Sequence, residues 1–394
     1  MINEKMRALG AKRSVIRELF EYGKMRKAQI GEDKVFDFSL GNPSVCPPPE
    51  LDAGLKELID TQGSVSLHGY TSAQGDYGVR AAVADYINST YGESVHPDCI
   101  YMTVGAAAAL TCTLTALVNP GEEVILLTPY FPEYKVFVER CGGIVREVAC
   151  GEDFKPDAEK IKAEINEKTA AIIVNSPNNP SGAVYGEDSI TALADALRYG
   201  EEKYSHPIYL IADEPYRELV YDGIKVPYLT QYYQNTVVCY SFSKSLSIPG
   251  ERIGYALVSP RCRDFADIYR AICGAGRALG FVCAPSLMQR VIPYCLGKTA
   301  DTRIYDRNRR LLMDRLTAYG YEIVRPEGAF YMFIKSPSGD GAEFSERAKQ
   351  RDILIVPGGD FGAPAYARLS YCVETEQIEG ALTAFEALIN SYKE

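Results

Sequence analysis

Short apolar runs alternate with helix-like segments through the middle of the chain, and few residues separate them. This alternation is typical of a parallel sheet whose strands are joined by helices that cover both faces. The predicted strands are 99–104, 123–128, 144–148, 170–175, 208–212, 237–241 and 253–258. The pattern therefore predicts an α/β fold, with a large unit built on a mostly parallel seven-stranded sheet.

The pattern changes on both sides of this region. After residue 285, helices alternate with short strands, which is typical of a separate α+β unit. Before it, apolar positions at helical spacing in 12–28 predict an amphipathic helix, which leads into a strand at 35–40. We expect this first segment to pack with the last one. The predicted domains are a large one, 46–285, and a small one, 1–45 with 286–394.

Composition and charge narrow the kinds of partner. The chain has 394 residues and a formal net charge of −10, which argues against a nucleic acid or an acidic membrane surface as partner. Its 11 cysteines form no C-x-x-C pair, and it has only three histidines, so the sequence contains no zinc-binding spacing. Unpaired thiols and an amino terminus without an apolar signal segment predict a cytoplasmic protein.

The strand predicted at 237–241 ends at a lysine that could carry chemistry. Ser241, Ser243 and Lys244 follow the apolar run, where open α/β sheets place their ligands. A lysine can form an imine with a carbonyl group, which no other side chain does. The two serines and Arg252 could hold a phosphate nearby. The alternative is a solvated lysine without a chemical role.

A second candidate anion site follows the strand predicted at 99–104. Gly105 is followed by a helix that begins with the small residues Ala106 and Ala107. The free N–H groups of a first helical turn bind anions, and small side chains let a phosphate approach them. The sequence has no Walker lysine here, so a nucleoside triphosphate is not the expected ligand. An ordinary crossover helix is the alternative.

Three other polar positions each allow more than one role. Asp213 closes a buried strand, where it could bind a metal ion, pair with a protonated ring nitrogen or cap a helix. Asn179 lies in a loop that two X-Pro bonds stiffen, which suits either a rigid hydrogen-bonding site or a plain turn. Arg368 could hold a carboxylate by two parallel hydrogen bonds or lie on the surface.

Taken together and in order, these segments resemble the class I/II aminotransferases, the fold-type I pyridoxal-phosphate enzymes related to aspartate aminotransferase. The resemblance covers the chain from about Phe36 to its end. The motifs that carry it are Asn179-Pro180-Ser181-Gly182, Asp213-Glu214-Pro215-Tyr216, Ser241-x-Ser243-Lys244 with Gly250-x-Arg252-x-Gly254, and Arg368-Leu369-Ser370.

The resemblance implies a role for each matching position toward pyridoxal 5'-phosphate. Lys244 would hold the cofactor as an internal aldimine and then transfer a proton, and Asp213 would pair with the pyridine nitrogen. Tyr216 and Asn179 would hydrogen-bond the phenolic oxygen, and Tyr130 would stack on the ring. The positions implied to hold the phosphate are Gly105, Ala106, Ala107, Ser241, Ser243 and Arg252.

The remaining positions concern the partner subunit and the substrate. Tyr70 matches a tyrosine that reaches the phosphate of the neighbouring subunit, which implies a homodimer with shared active sites. Gly41, Asn179 and Arg368 match the residues that receive the α-carboxylate of the substrate. The resemblance implies no metal.

The function that follows is transfer of an amino group from an L-amino acid to a 2-oxo acid by a ping-pong mechanism. One alternative is a C–S β-lyase, or other chemistry at the α-carbon on the same scaffold, since fold alone does not determine the reaction. A non-catalytic pyridoxal-phosphate regulator is another. The roughly 35 residues before the first strand are too few for the DNA-binding domain such a regulator needs. The sequence does not identify the residues that recognise the substrate side chain.

Overall fold

In the computed structural model, which describes residues 2–11 and 14–393, helices and strands alternate along most of the chain. The α-helices are α1 (Glu4–Ala11), α2 (Val15–Ile30), α3 (Pro49–Thr61), α4 (Ser64–His68), α5 (Tyr77–Tyr91), α6 (Ala106–Leu117), α7 (Glu133–Arg140), α8 (Ala158–Glu164), α9 (Glu187–Tyr204), α10 (Phe242–Ser245), α11 (Phe265–Ala278), α12 (Ser286–Cys295), α13 (Arg303–Tyr319), α14 (Gly341–Lys349) and α15 (Thr375–Asn390). The strands are β1 (Phe36–Asp37), β2 (Ile100–Thr103), β3 (Glu123–Thr128), β4 (Ile144–Ala149), β5 (Thr169–Asn175), β6 (Tyr209–Asp213), β7 (Thr236–Ser241), β8 (Gly254–Val258), β9 (Ile323–Val324), β10 (Tyr331–Lys335), β11 (Ile353–Leu354), β12 (Val356–Pro357) and β13 (Tyr366–Ser370).

The seven predicted strands of the large unit form one sheet, in the order β2-β8-β7-β6-β5-β3-β4. All of its pairings are parallel except those of β8, which runs antiparallel to both neighbours. Every residue of β5 and of β7 is buried, because helices cover both faces of the sheet. This burial explains the continuous apolar runs, and the predicted α/β fold is confirmed.

The register of the central strands brings three polar chain positions to one edge of the sheet. β5 ends at Asn175, β6 at Asp213 and β7 at Ser241. Asn175 lies opposite Asp213, and Asp213 lies opposite Cys239 of β7. Because these strands are parallel, their carboxyl ends meet where ligands bind in such sheets.

The carboxyl-terminal part contains a second sheet, antiparallel throughout, in the order β12-β13-β10-β9. β1 pairs in parallel with β11, so the amino-terminal segment packs with this part of the chain. The domain limits at residues 45 and 285 stay a prediction.

Two features at the amino end differ from the pattern-based prediction. Helix α1 was not predicted because its eight residues are too few for a helical period to stand out, and none of them is buried. The predicted strand 35–40 is only two residues long, because Asp37 accepts hydrogen bonds from the N–H and hydroxyl of Ser39. Residues 12 and 13 of the predicted amphipathic helix lie outside the described residues, and α2 begins at Val15.

The apolar helices are too short or too polar for a bilayer: within the described ranges, none could span a membrane.

Candidate active site

A cavity of about 490 Å³ opens at the carboxyl edge of β5, β6 and β7. Most of the predicted site residues line it, although they come from distant parts of the chain. They are Gly41, Ala106, Ala107, Asn179, Asp213, Tyr216, Ser241, Ser243, Lys244, Arg252 and Arg368. Ile16, Arg17 and Phe20 of α2 also line the cavity.

Lys244 provides the cavity with a primary amine. It lies in α10, whose first turn is capped by the Ser241 side chain accepting from the N–H of Ser243. Its Nζ donates to the carbonyl of Gly41 at 2.7 Å. Burial lowers the pKa of the Lys244 amine from 10.5 to about 8, and the positive charges of Arg252 and Arg368 act in the same direction. With a pKa of about 8, roughly a tenth of the amine is neutral at pH 7 and about half at pH 8, and the neutral form is the one that attacks a carbonyl.

Asp213 lies in the cavity wall, and one of its carboxylate oxygens has no hydrogen-bond partner among the described residues. Its Oδ2 accepts a hydrogen bond of 2.5 Å from the hydroxyl of Tyr134, whereas its buried Oδ1 has no partner among the described residues. Burial raises the pKa of Asp213 to about 7, with Tyr134 opposing the rise and Glu214 adding to it. Within residues 2–11 and 14–393, no three His, Cys, Asp or Glu side chains converge as a metal site would require. An oxygen with no partner suits a ligand that carries a donor.

Arg368 is a buried cation without a counter-ion. Its guanidinium donates through Nη1 to Asn179 Oδ1 at 2.9 Å and through Nη2 to the Ser39 carbonyl at 2.6 Å, while its Nε is unpartnered. It lies over the Tyr331 ring at 4.5 Å, and burial lowers its pKa. In the described part of the chain, none of the acidic side chains forms an ion pair with it. A buried charge of this kind is costly, so the position suits an anionic ligand.

The opposite end of the cavity has the donors of a phosphate site. Ser243 Oγ accepts hydrogen bonds from Ser241 Oγ at 2.8 Å and from Arg252 Nη1 at 3.4 Å. Helix α6 begins at Ala106 without a side-chain cap, which leaves its first N–H groups available. Gly105 has φ = 88° and a side chain there would meet Arg252 Nη2, so only glycine allows the arginine to lie over this helix terminus.

Three predicted positions do not line the cavity. Tyr70 is 91% exposed, and Gly105 contributes through its backbone turn. Tyr130 is a correction: its hydroxyl donates to Glu147 at 2.6 Å, outside the cavity, whereas the ring of the next residue, Phe131, lines the wall. Successive side chains after a strand point in different directions, so an assignment that is wrong by one residue selects the wrong ring.

Several wall residues were not among the predicted site residues, and those with side chains suited to a ligand include Phe131, Tyr134, Asn175 and Tyr331. Asn175 Nδ2 donates to the Asp213 carbonyl at 2.9 Å, and its Oδ1 accepts from the N–H of Asn179 at 2.8 Å. The hydroxyls of Tyr331 and Tyr216 share a hydrogen bond of 3.0 Å. Asn175 could have been found from its position at the end of a predicted strand, but the aromatic residues carry no such signal in a chain with 28 tyrosines.

Comparisons with known proteins agree with this geometry. The family model described as aminotransferase class I and II matches residues 33–385. The aspartate/prephenate aminotransferase of Thermus thermophilus is 33% identical over 372 residues, which cover 89% of this chain and 90% of that protein. A crystal structure of an amino transferase from Eubacterium rectale is 51% identical, with a TM-score of 0.98 and full coverage of both chains. The structure of aspartate aminotransferase from Thermus thermophilus with maleate is 28% identical, with a TM-score of 0.86 and coverage of 98% and 99%.

Proposed function

Because the chain belongs to the aminotransferase class I and II family and is thus an aminotransferase, we propose that its cavity binds pyridoxal 5'-phosphate. The observation that carries this proposal is the convergence, in one cavity, of an amine with a lowered pKa, a carboxylate oxygen without a partner among the described residues, and a guanidinium that forms no ion pair with any of them. The relatives named above are aminotransferases, which favours amino-group transfer between an L-amino acid and a 2-oxo acid over the lyase alternative.

The residues present fit the cofactor at each of its functional groups. The uncapped start of α6, with Ser241, Ser243 and Arg252, would hold the phosphate. The free Oδ1 of Asp213 would face the ring nitrogen. The remaining assignments are Tyr216 and Asn179 at the phenolic oxygen and Lys244 at the carbonyl carbon.

When bound, pyridoxal phosphate supplies an electron-withdrawing ring that stabilises the electron pair left when an amino acid loses its Cα proton. The protein's part is to hold and move that proton. Lys244 Nζ, with its lowered pKa, can accept a proton near neutral pH and return it, which is general acid–base catalysis. The carboxylate form of Asp213 would lie next to the ring nitrogen of the bound cofactor, where its negative charge would favour the protonated form of that nitrogen.

The residues that would orient the substrate are those around Arg368. Arg368 would bind the α-carboxylate by its free N–H groups, and Asn179 Oδ1 already holds its guanidinium in place. Gly41 must lack a side chain, because a Cβ there would collide with the hydroxyl of Tyr331. Ile16 and Phe20 of α2 line the same cavity, and their apolar side chains would help to exclude water once a substrate is bound.

The direct test is uptake of the cofactor and its pH dependence. Protein stripped of bound aldehyde and mixed with pyridoxal phosphate will develop a visible absorption band, and borohydride will attach the cofactor to the peptide that contains Lys244. The initial rate of attachment will rise with pH through about 8, since only the neutral amine attacks the carbonyl and its fraction grows above the pKa. Mass spectrometry of the digest identifies the lysine. Label on another lysine, or no band at all, would contradict the proposal.

We also propose a homodimer in which Tyr70 contributes to the partner's cavity. Tyr70 lies between α4 and α5 and does not reach the cavity of its own chain. Large apolar side chains close to it in sequence are also exposed: Ile59 at 61%, Val65 at 91% and Tyr77 at 64%. Exposed apolar groups of this kind mark an interface.

Sedimentation equilibrium at micromolar concentration will give twice the chain mass of 43.5 kDa. Mixing inactive Tyr70→Ala and Lys244→Ala variants will restore part of the activity, because one site of each hybrid then has both residues. A monomer, or no recovery on mixing, would argue against the shared site.

The cytoplasmic location also remains a proposal. All 11 cysteines lie in the described residues and are free, as thiols are in a reducing compartment. Cell fractionation that recovers the protein outside the cytosolic fraction would contradict it.

A further inference from the structure

Tyr134 is a buried tyrosine that no sequence motif identified. It lies in the first turn of α7 with 2% of its surface exposed, and it lines the cavity. Its hydroxyl donates to Asp213 Oδ2 at 2.5 Å across 79 residues of sequence. A buried hydroxyl bonded to a buried carboxylate in the cavity wall is a candidate for more than packing.

The position of the tyrosine ring is determined from two sides. Its backbone N–H donates to the Phe131 carbonyl at 3.0 Å, which anchors the start of α7. Its ring meets the Phe131 ring edge-on, with centroids 5.7 Å apart and planes at 85°. With the start of α7 and the ring held in this way, the hydroxyl bonds to one of the two Asp213 oxygens, Oδ2.

The surroundings of Asp213 contain no competing partner. In the described part of the chain, no lysine or arginine forms an ion pair with this carboxylate, and Tyr134 is the side-chain donor bonded to it. The other titratable groups that face it are Glu214 beside it, Cys239 opposite it on β7, and Tyr216. None of the three donates a hydrogen bond to either of its oxygens.

We propose that Tyr134 is a positioning residue that acts through Asp213 on the ring nitrogen of the cofactor, an inference that rests on the proposed function. By occupying Oδ2, it leaves Oδ1 as the oxygen that faces the cavity. By donating to the carboxylate, it makes Asp213 a weaker base. The proton shared between Oδ1 and the ring nitrogen then stays on the nitrogen, where it is needed.

The test removes one hydroxyl and compares two ligands. In Tyr134→Phe, the affinity of the stripped protein for pyridoxal phosphate will fall about tenfold, as expected for loss of a hydrogen bond to a charged group. In the 1-deaza analogue, a C–H group replaces the ring nitrogen. The affinities of wild type and Tyr134→Phe for this analogue will differ by less than about twofold. Tyr392→Phe is a matched control, because Tyr392 also donates to a carboxylate, Glu343, but far from the cavity.

A spectroscopic measurement distinguishes a role of Tyr134 in positioning Asp213 from a role in stabilising the fold alone. The ¹⁵N signal of bound, ring-labelled pyridoxal phosphate will move toward the unprotonated position in Tyr134→Phe. A difluorotyrosine at position 134 keeps the ring and donates more strongly, so it will move the signal the other way. Melting temperatures of all variants monitor folding.

Each outcome has a distinct meaning. Equal weakening of both ligands, or an unchanged nitrogen signal, would overturn the role of Tyr134 while leaving the cofactor proposal intact. Failure of the wild-type protein to bind pyridoxal phosphate would instead overturn the proposed function.

Discussion

Replacing Lys244 with alanine will lower kcat/KM for every amino-acid donor by at least about 10⁴-fold, the upper end of what general acid–base catalysis contributes. Among the described residues that line the cavity, Lys244 is the only lysine, so no neighbouring amine can substitute for it. Its Nζ makes one hydrogen bond, to the Gly41 carbonyl, and the folded state depends little on it. Steady-state kinetics with an L-amino acid and a 2-oxo acid measure the loss, and the melting temperature measures the fold.

A matched control is Lys168→Ala, which removes an exposed lysine far from the cavity and will leave turnover unchanged. Added methylamine will recover part of the activity of Lys244→Ala, since the truncated side chain leaves space for a small amine. Normal turnover in Lys244→Ala would refute the assignment of the amine.

Replacing Arg368 with lysine will lower kcat/KM for amino acids by about 10²–10³-fold, in keeping with the cost of breaking a buried charged hydrogen-bond pair. A lysine retains the positive charge but loses the planar fork that can bind a carboxylate at two points. It also loses the paired bonds to Asn179 and Ser39 that hold the side chain in place. Initial rates measured across a range of amino-acid concentrations give kcat/KM. A titration with pyridoxal phosphate shows whether the variant retains its affinity for the cofactor.

The control for Arg368 is a change of substrate. A primary amine that lacks the α-carboxylate will react slowly with wild type and Arg368→Lys alike, because the contact in question is missing from both. If the variant lost as much activity toward the amine as toward the amino acid, the residue would serve the structure and not the carboxylate.

The large sheet was predictable because of how it is buried. Strands such as β5 and β7 have helices on both faces, so every residue is buried, most are apolar, and the run is visible without an alignment. The short strands of the carboxyl-terminal part were harder to predict: β11 pairs with β1, whereas β12, which follows it closely, belongs to the four-stranded sheet. Pieces of two residues are determined by tertiary pairing and not by their own sequence.

The sequence predicted those site residues that directly follow a strand. It did not predict those whose place in the cavity wall depends on the direction of the side chain. Asp213 and Lys244 come directly after apolar runs, so the topology brings them to one edge. Phe131 and Tyr134 line the cavity from the segment that opens α7, and no pattern of apolar and polar residues gives the direction of these side chains. The resemblance pointed to Tyr130, one residue before the ring that lines the wall.

The hydrogen bond from Arg368 to the Ser39 carbonyl joins positions 329 residues apart, and this separation orders the events of synthesis. At usual elongation rates, roughly 15 to 65 s pass between the emergence of the two residues from the ribosome. The candidate phosphate-binding positions from Gly105 to Arg252 are all made within that interval, so the cofactor end of the cavity can form before the substrate end exists. Until β11 has been synthesised, β1 has no partner strand. Its length of two residues leaves little unpaired edge for other nascent chains to bind.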